Sequence, residues 1–202
     1  MKQLFIKLAL PLLLLTTAVI AQDEEKSGWY MGLGYGSTAY EDDDLGKDIV
    51  GMGDLNEDTD SGMVIYGGYK VNNLLSIEAS YRDYGEFTYQ GSANTTLEAS
   101  SVAVSANLGY PFLDNQLRPF GILGFGYVST DYTNSMFTSV DDGAGSLHIG
   151  FGVEYEPNSI EGLGFRIAYE ADSFTTEVIK IGEDKEYNMV LGQLYVGVQY
   201  RF

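Results

Sequence analysis

His148 is the one histidine in the chain, so any Ser-His-Asp relay or histidine-based acid–base step must pass through it. It sits mid-strand in Ser146-Leu147-His148-Ile149-Gly150, on the side expected to face an interior, where a hydrogen-bonded structural histidine is the simpler expectation. A second candidate is acidic. Asp54-Leu55-Asn56-Glu57-Asp58-Thr59-Asp60 spaces oxygen ligands as the start of a calcium loop does. Thr59 stands where that loop needs Gly, however, and Ile65 where it needs a bidentate Glu, which excludes an EF-hand. Residues 41–60 still hold nine acids against Lys47 alone, a net charge of -8. Asp42, Asp43, Asp44, Asp54, Asn56, Asp58 and Asp60 are the candidate ligands for weak Ca2+ or Mg2+ binding, with a plain solvated acidic loop as the alternative. Gly32-Leu33-Gly34-Tyr35-Gly36 and the run 121–126 resemble nucleotide-binding glycines only superficially. They lie within period-two segments with no helix after them.

Composition removes several classes of chemistry. The chain has 202 residues, 29 acids, 11 Lys or Arg and no Cys. A formal charge of -18 with scattered bases excludes a phosphate-tracking nucleic-acid surface. The lack of Cys excludes disulfides and thiolate zinc sites, and no cofactor is expected. Asn94-Thr95-Thr96 matches a glycosylation sequon, which is expected to be coincidental.

The elements that must position these residues begin after residue 21. Lys2 and Lys7, an apolar stretch over residues 8–20 and Val19-Ile20-Ala21 before Gln22-Asp23-Glu24-Glu25 read as a secretory signal peptide, 1–21. Cleavage there leaves residues 22–202, with net charge -20, as one domain.

That domain shows no helical periodicity. Eight segments alternate with period two. Trp29, Met31, Leu33 and Tyr35 oppose Tyr30, Gly32, Gly34 and Gly36; Leu75, Ile77, Ala79 and Tyr81 oppose Ser76, Glu78, Ser80 and Arg82; Leu147, Ile149, Phe151 and Val153 oppose Ser146, His148, Gly150 and Gly152. The fifth segment is apolar on both faces and its inside stays open: Phe120, Ile122 and Val128 compete with Leu123, Phe125 and Tyr127. Connections alternate between short (72–73, 111–116, 156–161) and long (41–61, 85–96, 131–145, 172–186).

Period two alone is compatible with a soluble barrel whose apolar face is inside. The aromatics favour the reverse, because Trp29, Tyr69, Tyr110, Tyr155, Tyr200 and Phe202 collect near the short turns and Tyr35, Tyr81, Tyr127 and Tyr169 near the long loops, as two interfacial girdles would. The expectation is all-β: an eight-stranded antiparallel transmembrane up-and-down β-barrel, with Lys70, Glu78, Arg82, Glu154, Arg166, Glu170 and Arg201 as charges in its lumen. An even strand number places both termini on the periplasmic side and the long loops at the cell surface.

The last strand, Gly192-Gln193-Leu194-Tyr195-Val196-Gly197-Val198-Gln199-Tyr200-Arg201-Phe202, resembles the terminal signature of bacterial outer-membrane proteins. Residues 69–85 and 119–126 resemble the transmembrane domain of OmpA-type and related surface-antigen barrels of the porin family. The resemblance implies a Gram-negative-type outer membrane and makes Tyr200 and Phe202 the assembly signal read by the barrel-assembly machinery. With the chain stopping at Phe202, the periplasmic peptidoglycan-binding domain of full OmpA-type proteins is not expected, nor is the cell-wall tether it provides. Among barrel enzymes, lipid A deacylases pair a His with a Ser two residues later, whereas Gly150 holds that position here.

The function expected is non-enzymatic: a structural or surface-interaction role in envelope integrity or adhesion, with acidic extracellular loops. Its expected partners are outer-membrane lipids, lipopolysaccharide, the assembly machinery and an unidentified surface ligand. The alternative is a channel for small solutes or hydrophobic compounds, and behind that a lipid A-modifying enzyme.

Overall fold

A computed structural model describes residues 27–41, 60–89, 95–133, 143–180 and 183–202. The signal-peptide segment 1–21, the candidate ligands Asp42, Asp43, Asp44, Asp54, Asn56 and Asp58, and Asn94 of the sequon lie outside them.

The strands are β1 (Gly28–Glu41), β2 (Ser61–Lys70), β3 (Leu75–Tyr89), β4 (Thr95–Gly109), β5 (Leu117–Thr133), β6 (Gly143–Tyr155), β7 (Leu163–Lys180) and β8 (Glu183–Arg201). Each pairs antiparallel with its neighbours in sequence, and β8 pairs with β1, so the barrel closes in the order β1-β2-β3-β4-β5-β6-β7-β8. Closure removes the sheet edges that would otherwise present unpaired peptide groups.

Side chains alternate across the wall as the period-two pattern requires. Outward residues are apolar and open: Leu33 is 62% exposed, Val104 61%, Phe125 78% and Val196 62%. A continuous apolar belt of this extent is not compatible with water and calls for lipid. The girdle residues lie on the same outer surface, with Trp29 against Tyr69 and Tyr200 against Phe202 edge to face, at centroid separations of 5.3 and 5.4 Å.

The open side of β5 is decided by closure: Phe120, Ile122 and Val128 point inward, and Leu123, Phe125 and Tyr127 outward. Large inward rings need room, which glycines provide. Gly32 pairs with Tyr66 across β1–β2, and a Cβ at Gly32 would overlap the Tyr66 phenol. Gly85, at φ +79°, occupies the bulge between Asp83 and Glu86, a backbone setting that side-chain-bearing residues resist.

At the short-turn end, Asn72 Oδ1 accepts from the Leu74 and Leu75 amides at 2.8 and 2.9 Å, an Asx turn that reverses the chain between β2 and β3. One expectation is corrected at the other end. Residues 172–186 are not a loop, because β7 and β8 continue to pair from Asp172↔Leu191 as far as Lys180↔Glu183. β-branched Thr175, Thr176, Val178 and Ile179 favour strand here, yet interspersed charges hide the alternation, since no lipid requires an outward apolar face on a ribbon standing above it.

Candidate functional site

The barrel interior concentrates the chain's buried charge. Lys70, Glu78, Arg82, Glu154, Arg166 and Glu170 are each no more than 5% exposed, whereas Arg201 is partly open at the short-turn mouth. An eight-stranded barrel is just wide enough for side chains to meet across it, so a residue on one wall finds its partner on the opposite one.

At the short-turn mouth, Lys70 Nζ sits 2.7 Å from Glu156 Oε1, and Arg201 Nη2 3.4 Å from Glu156 Oε2. Arg118 closes the same level. It donates to Glu154 Oε2 at 3.1 Å, Asn107 Oδ1 at 2.9 Å and the carbonyls of Asn73 and Leu74 at 2.9 and 3.1 Å, so one guanidinium ties the β2–β3 turn to β4 and β6. Next comes Arg166 on β7, with both Nη atoms on Glu78 of β3 at 3.0 and 2.7 Å and a third bond to Glu154 at 2.7 Å. Its planar face rests on the Tyr66 ring, with the guanidinium carbon 3.9 Å from the centroid. Tyr30 donates to the same Glu78 carboxylate at 2.7 Å.

Toward the loops, Arg82 pairs with Glu170, which also accepts from the Tyr195 hydroxyl at 2.5 Å. His148 lies between two carboxylates: Nε2 is 3.1 Å from Glu170 Oε2 and Nδ1 3.1 Å from Asp172 Oδ1. Asp172 further accepts from Tyr84, Ser101 and Ser146 at 2.7, 2.8 and 2.9 Å. Above this network the interior turns apolar, where Tyr84, Leu97, Val128, Phe174, Met189 and Leu191 form a buried cluster. The sequence therefore yields a column of ion pairs capped at the loop end by hydrophobic side chains.

Several members of this network escaped sequence reasoning. Asp172 stood at the edge of what looked like a loop, and Arg118 stood at the start of the segment with no decided inside. Tyr30, Tyr66, Tyr84 and Tyr195 looked like ordinary strand aromatics, although their inward parity was visible from Trp29, Ile65, Tyr81 and Leu194 on the other face. Glu156 lay in an expected turn.

The chemistry available is structural. Ser146 directs its hydroxyl to Asp172 rather than to His148, and His148 and Asp172 are both inaccessible to solvent, so among the described residues His148 activates no nucleophile that faces a substrate. Among the described residues no group of three His, Cys, Asp or Glu is placed to hold a metal ion. Asp60 accepts from the amides of Ser61 and Glu86 at 2.7 and 2.6 Å, which fastens the start of β2 to the β3 bulge. At the other end of the wall, Phe202 is 77% exposed beside Tyr200, and its amide donates to the Trp29 carbonyl at 2.9 Å.

A family model described as outer membrane protein beta-barrel domain matches residues 8–202. Outer membrane protein A of Escherichia coli O157:H7 is 29% identical over 187 residues, covering 92% of this chain and 51% of that protein. The chain thus spans about half the length of the curated relatives it matches. Among solved structures, neisserial surface protein A superposes with a TM-score of 0.62 at 15% identity, over 88% of this chain and all of the other. OprG of Pseudomonas aeruginosa gives 0.60 at 14%, over 88% and 97%. At these identities the likeness to the solved structures shows the fold alone.

Proposed function

Given that the chain belongs to the outer-membrane β-barrel family, we propose that it is a structural and surface-interaction protein of the bacterial envelope, acting through its outer wall and loops rather than by conducting solutes. A multi-pass barrel in the outer membrane is the premise; the role is the proposal. The observation that carries it is the filled interior. Arg82 and Glu170 are 0% exposed and Arg166 and Glu78 1%, so water does not reach the two levels of ion pairs at the centre of the barrel. A path for solutes would require breaking charges out of their partners in a low-dielectric space, at several kcal/mol for each ion left unpaired.

The acidic loops supply the surface side of the reading. Residues 41–60, the segment joining β1 to β2, carry -8 in sequence, a charge that repels the anionic phosphates of lipopolysaccharide and favours contact with cationic partners. Export through the segment 1–21 and delivery by the barrel-assembly machinery through Tyr200 and Phe202 belong to the same proposal.

The test is twofold. Reconstituted in planar bilayers, the protein should give no sustained single-channel openings. Cells producing it should gain resistance to detergent or binding to a cationic surface, and a variant with residues 42–59 replaced by a short turn should keep the first and lose the second. Steady open-channel currents from the intact protein would overturn the proposal in favour of a channel.

A further inference from the structure

The outer wall is not uniform. On β1 to β5, Met31, Gly67, Ala79, Val104 and Phe125 are successive register partners in one row across the wall. Gly67 and Ala79 provide almost no side chain at the centre of that row, and the larger neighbours leave a groove of about 560 Å³ with an almost wholly apolar lining. In the next row toward the loops stand Ile65, Tyr81, Val102 and Tyr127, of which Tyr81 and Tyr127 belong to the loop-side girdle, and all four also line the groove.

A second cavity of about 420 Å³ begins where the first ends, and Tyr81 lines both. Its floor is the row Asp83, Ser100 and Ser129, and its upper rim the row Glu86, Glu98 and Asp131. Successive outward rows are about 7 Å apart along a strand, and this acidic row lies two rows beyond the girdle residues Tyr81 and Tyr127, on the head-group side of them. Glu86 is the register partner of Glu98, and Glu98 of Asp131, which sets three like charges side by side on adjacent strands. Such pairs are destabilising unless a positive group lies among them. Among the described residues no Lys or Arg lines this cavity.

We propose that this wall binds a membrane amphiphile with an amine head group, its acyl chain lying in the groove and its ammonium on the carboxylate shelf. Three features meet here: an apolar slot facing lipid, a polar shelf directly above it, and a negative charge that a cationic head group complements. A phosphate-only head group is repelled by the same shelf. The proposal rests on the outer-membrane assignment and is independent of any loop ligand.

Native mass spectrometry of the folded protein in detergent tests it, with phosphatidylethanolamine, its N-acetylated form and phosphatidylglycerol of identical acyl chains as probes. Heat-dependent mobility in SDS gels certifies the fold of each variant separately. The intact protein should retain the amine lipid about fivefold over both others, the scale of an exposed ion pair. E98Q/D131N, which lies above the lipid belt, should abolish that preference while leaving retention through the groove. Ala79→Leu should reduce retention of all three lipids, and ethanolamine without acyl chains should not compete. Equal retention of the three lipids by the intact protein, or a preference that survives E98Q/D131N, overturns the proposal. So does phosphatidylglycerol binding that arises only with Mg2+, which would make the occupant a cation-bridged phosphate. A dimer that Ala79→Leu dissociates would assign the groove to a second copy of the chain and equally defeat it.

Discussion

Arg166 on β7 holds Glu78 on β3 with both terminal nitrogens, at 3.0 and 2.7 Å, across 88 positions of sequence and the full width of the barrel. The pair is a strut between opposite walls. Its bridging groups occupy the middle of the lumen.

Replacing Arg166 by Ala leaves the buried Glu78 carboxylate with the Tyr30 hydroxyl but without its guanidinium, and leaves Glu154 to Arg118. Urea unfolding of the barrel in lipid vesicles should show a loss of about 3 to 5 kcal/mol, the usual cost of breaking a buried pair. Replacing the whole set with apolar residues of similar volume should cost far less. An unchanged unfolding midpoint for Arg166→Ala, with a new conductance in its place, would mean that the strut is a removable gate.

His148→Ala removes the ring between Glu170 and Asp172 and leaves two acceptor-only carboxylates facing a gap. The expected cost is about 1 to 3 kcal/mol for the donors lost, read from the same unfolding curves. Chemistry at His148 would give another pattern, with stability retained and an activity lost.

Phe202 anchors the C-terminal end to Trp29 through its amide and to Tyr200 through its ring, at the lower girdle. Deleting it should reduce assembled protein and leave precursor in the periplasm, measured by fractionation and immunoblotting. Normal outer-membrane levels of the truncated chain would remove the assembly role proposed for this residue.

A closed ladder with all strand partners in place resists SDS until heated. Unheated and boiled samples should therefore migrate differently on gels. Amino-terminal sequencing of the assembled protein should begin at Gln22, and a start at Met1 would show that the segment 1–21 is retained.

Strand number, the parity of seven segments and the two aromatic girdles were legible in the chain itself. All three follow from local rules: successive side chains point to opposite faces, lipid demands an apolar face, and the interfaces favour Trp and Tyr. These conditions act on residues i and i+2 and need no knowledge of what lies opposite. The inward list Lys70, Glu78, Arg82, Glu154, Arg166 and Glu170 was accessible for the same reason.

Closure decided the rest. Whether Phe120 or Phe125 faced the lumen depended on the register of β5 against β4 and β6, because both faces of that strand are apolar and parity is silent. That Arg82 meets Glu170, and that Arg166 takes Glu78 and Glu154 together, follows from strand stagger around the barrel, a global quantity that no window of sequence contains. Asp172 joined the network only because β7 continues past it, above the height at which lipid enforces alternation. The groove at Gly67 and Ala79 under its carboxylate shelf likewise exists only in the folded wall, where register lines up the small residues of β2 and β3 with their neighbours on β1, β4 and β5 and sets Glu86, Glu98 and Asp131 in one row beyond them.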